Sequence, residues 1–234
     1  MKTSTIYRAT NHLGQDVAID FQHGSTNSKL GTGIQIWIFP MTWITEGKTA
    51  MDNDEASCFD CPHSKRANRT CYVRKGFSEF GFKSKIASMH KKFILGQLQV
   101  LDSSLIAVNE APKCSGKFVR FGAYGEPVLL GEANVQAITS QASNFTGYTH
   151  QWFLPQYQWA SKYFMSSADT EGLSRKSQAM GWRTFRVMTK QDTKLQNEVI
   201  CPASREGGRK VECNVCGLCK GTSIGAKSIA IYKH

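Results

Sequence analysis

Residues 118–150 read FVRFGAYGEPVLLGEANVQAITSQASNFTGYTH. An apolar, aromatic-rich run at 118–124 is punctuated by glycine and proline. A helix-like segment follows at 132–142, then a second strand-like run at 145–150. Strand, helix, strand is the unit of a parallel sheet, and the pattern extends in both directions. Further strand-like runs fall at 34–39, 163–167, 182–187, 198–201 and 228–232, most of them rich in aromatic and β-branched residues. Helical segments are expected at 82–101, where Ile86, Met89, Phe93, Gln97 and Leu101 lie near one face, at 155–163, and at 170–180 opening on Thr170. The fold class is therefore α/β, with parallel strands joined by right-handed crossovers. Six or seven such units favour a partial (β/α) barrel over an open doubly wound sheet. The chain divides into an N-terminal extension (1–30), a barrel core (31–200) carrying a cysteine loop at 58–71, and a cysteine-rich segment with the last strand (201–234). Working groups belong at the C-terminal ends of the strands, where the loops converge.

The 29 Lys and Arg outnumber the 18 Asp and Glu, for a formal charge of +11. That excess attracts polyanions, so nucleic acid or a phosphorylated substrate is the first partner to consider. Two basic stretches, 83–92 and 205–210, each lie near a cysteine set. On a common face they would make an electrostatic footprint; separately they are solvated faces. Residues 1–21 lack the apolar core of a signal peptide, and the most apolar run, 34–44, is about half the ~20 residues needed to span a bilayer. A cytosolic protein with no membrane partner is expected. In that reducing setting, closely spaced cysteines point to metal or redox chemistry rather than disulfides.

Seven of the eight cysteines form two sets. The rear set is Cys201-Pro202 followed by Cys213-Asn-Val-Cys216-Gly-Leu-Cys219. Two successive two-residue gaps bring three sulfurs around one centre, and Cys201 completes four ligands. A [4Fe–4S] cluster and four-thiolate zinc both fit that count, with iron–sulfur favoured. The front set, Cys58-Phe-Asp-Cys61 and then Cys71, offers three sulfurs. His63 could complete a Cys₃His zinc site, or three cysteines could hold a [4Fe–4S] cluster with one iron open for chemistry. Cys114 stands alone and reads as a buried thiol.

A three-cysteine loop after the first core strand and Gly125-Glu126-Pro127 after the second resemble the radical S-adenosylmethionine enzymes. The resemblance implies a partial (β/α)₆ barrel, with Cys58, Cys61 and Cys71 holding a cluster whose open iron takes the amino and carboxylate groups of S-adenosylmethionine. Gly125, Glu126 and Pro127 would then hold the methionine end of that cofactor, and an electron donor would be needed. The gaps of two and nine residues differ from the three and two usual in that family, and Tyr72 follows the last cysteine where the family has an aromatic residue before it. The Cys61-Pro-His63 and Arg69-Thr-Cys-Tyr72 stretch, and the final Cys213-x-x-Cys216-Gly-Leu-Cys219 followed by a strand just before His234, also resemble, over roughly residues 30 to 234, a phage-borne family of barrel-like, cysteine-rich proteins, which would place the chain in a host cytoplasm.

Other polar groups are expected at the strand ends. His150 could donate a proton, bind a metal or contact a phosphate, or be hydrogen-bonded for structure. Ser167 and Asp169, with Ser166, would suit a ribose, or cap the helix from Thr170. Alternation in 182–187 places Arg183 and Phe185 on one face and Trp182, Thr184 and Arg186 on the other. An inward Arg186 needs an anion, whether a fixed carboxylate such as Glu126 or a substrate phosphate or carboxylate.

Overall fold

The computed structural model describes residues 4–24, 31–47, 54–64, 70, 71, 73, 77–208 and 211–233. Two sheets carry the α/β architecture. β1 (Ser4–Thr10) and β2 (Asp16–Gln22) form a hairpin, in whose turn the Asn11 carboxamide oxygen accepts from the backbone N–H groups of Leu13 and Gln15 at 2.8 and 2.9 Å. β2 pairs antiparallel with β3 (Ile34–Pro40). β4 (Leu98–Asp102) lies parallel to β1, and β5 (Phe118–Tyr124) and β6 (Asn144–Thr146) extend the sheet in parallel from β3. The order of this six-stranded sheet is β4-β1-β2-β3-β5-β6.

Beyond β6 the chain crosses into the second sheet. Gly147 separates β6 from β7 (Tyr148–Thr149), and a Cβ at that glycine would come within 2.5 Å of the Phe164 ring, so no side chain fits at the crossing. β7, β8 (Met165–Ala168), β9 (Thr184–Met188), β10 (Glu198–Ile200) and β11 (Ser228–Tyr232) form a five-stranded, wholly parallel sheet in the order β10-β11-β9-β8-β7. Neither sheet closes on itself. β3, β5 and β6 run parallel in the first sheet and all five strands run parallel in the second, where the last strand is inserted between β9 and β10.

Helices pack along these sheets: α1 (Met41–Thr45), α2 (Glu55–Cys58), α3 (Phe77–Ile94), α4 (Ile106–Asn109), α5 (Glu132–Gln141), α6 (Glu171–Ala179) and α7 (Cys213–Cys216). Phe82 of α3 stacks against Trp37 at 5.7 Å and lies 4.6 Å from Tyr124, which fixes α3 over β3 and β5. Thr170 caps α6: its hydroxyl accepts from the Leu173 N–H at 3.2 Å. Thr170→Ala is therefore expected to cost about 1 kcal/mol in urea unfolding.

Of the expected N-terminal extension, residues 4–24 contribute two strands to the larger sheet, with Ile6, Val17, Ala18 and Ile19 fully buried. One expectation is corrected. The helix expected through residue 101 stops at Ile94: Gly96 turns at φ +64° and residues from Leu98 onward become β4, paired with β1. The helical segment expected at 155–163 is present as a 3-10 helix, Pro155–Lys162.

Candidate functional site

The front cysteines follow β3 and α1. Cys58 ends α2, and the Cys61 N–H returns to the Cys58 carbonyl at 3.0 Å. The Cys71 N–H bonds the His63 carbonyl at 3.1 Å, which folds the far end of the loop back on its start. All three cysteines border the same apolar group as Phe39, Trp43 and Tyr124. Phe59, between the first two, holds φ +48° and ψ −127°, a conformation that side chains avoid. What holds it is the N-terminal hairpin. His12 stacks on the Phe59 ring at 4.7 Å and its Nδ1 lies 3.0 Å from the Tyr157 hydroxyl, while the Asn11 amide donates to the Ala56 carbonyl at 2.9 Å.

The loop is tied to the Gly125-Glu126-Pro127 turn. The Glu126 N–H donates to the Ser57 carbonyl at 2.8 Å, next to Cys58. Gly125 allows this approach: at φ +79° it presses on β3 so closely that a Cβ would lie 2.2 Å from the Ile38 carbonyl oxygen. The buried Glu126 carboxylate reaches across to the next strand end, accepting from the Thr149 hydroxyl at 2.6 Å and from the His150 N–H at 3.1 Å.

His150 and Asp169, at the ends of β7 and β8, meet His63 from the cysteine loop. His63 Nε2 lies 2.8 Å from Asp169 Oδ1, and His63 Nδ1 lies 2.6 Å from the Thr70 hydroxyl. His150 Nε2 faces Asp169 Oδ2 at 3.4 Å, and His150 Nδ1 faces Glu126 Oε1 at 3.4 Å. Neither His150 Nε2 nor Asp169 Oδ2 completes a hydrogen bond among the described residues, although both are buried. They face each other instead as a buried ion pair at 3.4 Å, too long for a good hydrogen bond. Burial pushes the His150 imidazole down, but Asp169, Cys61 and Glu126 more than offset it, and its pKa stands well above the usual value. Burial pushes the Asp169 carboxyl up, and His150 and His63 overcome this to hold it far below the usual range.

The rear set also comes together, beside β6, β7 and β11. Cys201, Cys213, Cys216 and Cys219 line one cavity with Phe145, Tyr148 and Ile229. Gly217, left-handed at φ +66°, ends α7 against the Asn144 amide, which donates to the Asn214 carbonyl at 3.2 Å. Arg183 braces the segment, donating to the carbonyls of Lys220, Gly221, Ala226 and Lys227. Burial, reinforced by the neighbouring thiols, pushes Cys219 up to about 12, although the Tyr148 hydroxyl pulls the other way. Burial, Asp54 and Cys61 likewise push Cys58 well above its ordinary value. Both thiols stay protonated at neutral pH unless a metal displaces the proton.

Of the other expected site residues, Arg186 is withdrawn from the strand ends. It faces α6 and is locked to Glu198 by Nε–Oε1 and Nη2–Oε2 contacts of 2.8 and 2.7 Å, with both side chains buried. Its fixed anion is Glu198, not Glu126, and no charge is left over for a substrate. Ser167 lies within β8, paired with Phe185 of β9, while Ser166 bonds Ser177 of α6 at 2.6 Å. Both His63 nitrogens are engaged by Thr70 and Asp169 and neither turns to the cysteines. Cys114 is fully buried, and burial with Glu110 nearby raises it to about 11. Residues 209 and 210, the end of the second basic stretch, lie outside the described residues. No local signal foretells the meeting of His63 and Asp169, since 106 positions separate them.

No helix among the described residues is long and apolar enough to cross a membrane. Comparison with family models, with curated proteins and with solved structures finds no match.

Proposed function

We propose that the chain is an iron–sulfur enzyme resembling the radical S-adenosylmethionine enzymes, with a partial barrel formed by its parallel strands and a nucleic acid or nucleotide as substrate. The observation that carries this is the junction between the cysteine loop and the Gly-Glu-Pro turn, the 2.8 Å bond from Glu126 N–H to the Ser57 carbonyl at the ends of β3 and β5. The substrate class rests on the charge of +11.

The four rear thiols line one cavity and the three front thiols border one apolar group, donor counts that suit a closed and an open cluster. Cys201, Cys213, Cys216 and Cys219 would hold an auxiliary cluster, and Cys58, Cys61 and Cys71 the open one. When bound, the front cluster supplies one-electron reduction of the cofactor sulfonium, with the electron coming from an external donor. Around it the chain's own groups have definite tasks. Trp43, Phe39 and Tyr124 keep water from the thiols. Gly125 lets the turn approach the loop, and Glu126 fixes the His150 backbone.

Anaerobic purification followed by iron, sulfide and zinc analysis and a visible spectrum tests this. A brown protein with iron and sulfide each at about eight per chain is expected. Zinc without sulfide overturns the proposal and leaves a metal-stapled binding protein in its place.

A further inference from the structure

We propose that His63, His150 and Asp169 bind a single divalent transition-metal ion, distinct from the seven cysteines of the two sets. The three side chains offer one ligand atom each, all within 4.8 Å of one another. They come from three separate places in the chain: the cysteine loop, the end of β7 and the end of β8. Metal–nitrogen and metal–oxygen bonds of about 2.0–2.2 Å make neighbouring ligand atoms roughly 3–3.5 Å apart. The 2.8 Å separation of His63 Nε2 from Asp169 Oδ1 and the 3.4 Å separation of His150 Nε2 from Asp169 Oδ2 fall close to that edge length.

The surroundings match what a metal-binding imidazole requires. Each histidine presents Nε2 to the shared centre and has an acceptor at Nδ1: the Thr70 hydroxyl at 2.6 Å for His63, and Glu126 Oε1 at 3.4 Å for His150. A partner at Nδ1 fixes the tautomer that leaves the Nε2 lone pair free for a metal. A metal-free network explains only half of the arrangement. It satisfies His63 and Asp169 Oδ1, and leaves His150 Nε2 and Asp169 Oδ2 as a buried 3.4 Å ion pair that falls short of a hydrogen bond. An ion at the centre engages both. Two histidines and one carboxylate leave coordination positions open, the pattern that suits ferrous iron or zinc with an exchangeable ligand. Cys61 lies against the His150 ring, so the ion would stand at the edge of the cysteine loop.

The test uses the full chain, purified anaerobically, washed with EDTA and equilibrated with cobalt(II), with iron and sulfide counted in the same samples. Wild type is expected to bind about one cobalt per chain more than either Asp169→Asn or His63→Gln. Thr70→Val and Glu126→Gln should keep the site but weaken it by about 10- to 100-fold. Equal cobalt binding by wild type and both ligand variants overturns the proposal, whatever the iron and sulfide show. Should the ligand variants fail to fold, X-ray absorption at the cobalt edge of the wild-type protein decides: imidazole scattering supports the site, and a shell of sulfur alone overturns it.

Discussion

Replacing Arg186 by methionine is expected to destabilise the protein by about 3–5 kcal/mol, the cost of stranding the buried Glu198 carboxylate. Typical domains are stable by about 5–15 kcal/mol, so this single change would bring the fold near its limit. Urea unfolding measures it directly. The cost falls on more than one bond, because Glu198 also accepts from the Leu195 N–H at 2.8 Å and lies 3.4 Å from the Ser174 hydroxyl of α6. A double replacement, Arg186→Met with Glu198→Leu, should recover only part of the loss. It removes the unpaired charge but leaves that N–H and hydroxyl without their acceptor.

The same pair sets a pH dependence with a definite sign. Burial pushes the Glu198 carboxyl up, but Arg186 and the Leu195 N–H outweigh it, so its folded-state pKa is lowered. A lowered value means that its contribution is complete above the unfolded value of about 4.3 and is lost as pH falls through the folded value. The stability gap between wild type and Glu198→Gln should be wide at neutral pH and close below roughly pH 4. A gap that persists unchanged into acid would show that the carboxylate charge is not what Arg186 holds.

Gly125→Ala carries the second large effect. The new Cβ meets the Ile38 carbonyl oxygen at 2.2 Å and the Ile38 Cβ at 2.9 Å, and rigid β3 backbone gives little room. Strain at a positive φ costs about 1–3 kcal/mol, and overpacking adds about 1–3 kcal/mol. The turn must then lift from β3, and the bond from Glu126 N–H to Ser57 breaks with it. Iron and sulfide should fall to about half as the front set is disturbed, while the rear set keeps its own. Wild-type stability with full iron in this variant would separate the turn from the cysteine loop and remove the main support for the proposed function.

Much of the scaffold was legible in the chain. The seven expected runs, most of them rich in aromatic and β-branched residues, all overlap strands, with β6 and β7 sharing one, and Thr170 announced α6 by its capping chemistry. The hairpin of β1 and β2 was not. Its strands are mixed in polarity, as in RATNHLGQD around the turn, and β3 and β4 flank them in the sheet. The cysteine spacing marked two sets of donors. It did not reveal that His12 and Asn11 support the front loop, because those contacts join residues 45 or more positions apart.

What the sequence determined by itself is what depends on near neighbours: strand and helix periodicity, caps, glycine turns and the local spacing of thiols. Which face of β9 turns toward α6, and hence that Arg186 is held by Glu198, was decided only by the tertiary structure. So was the meeting of His63, His150 and Asp169. Alternation along a strand says which side chains share a face but not what covers it, and loop ends converge only after the sheet between them has formed.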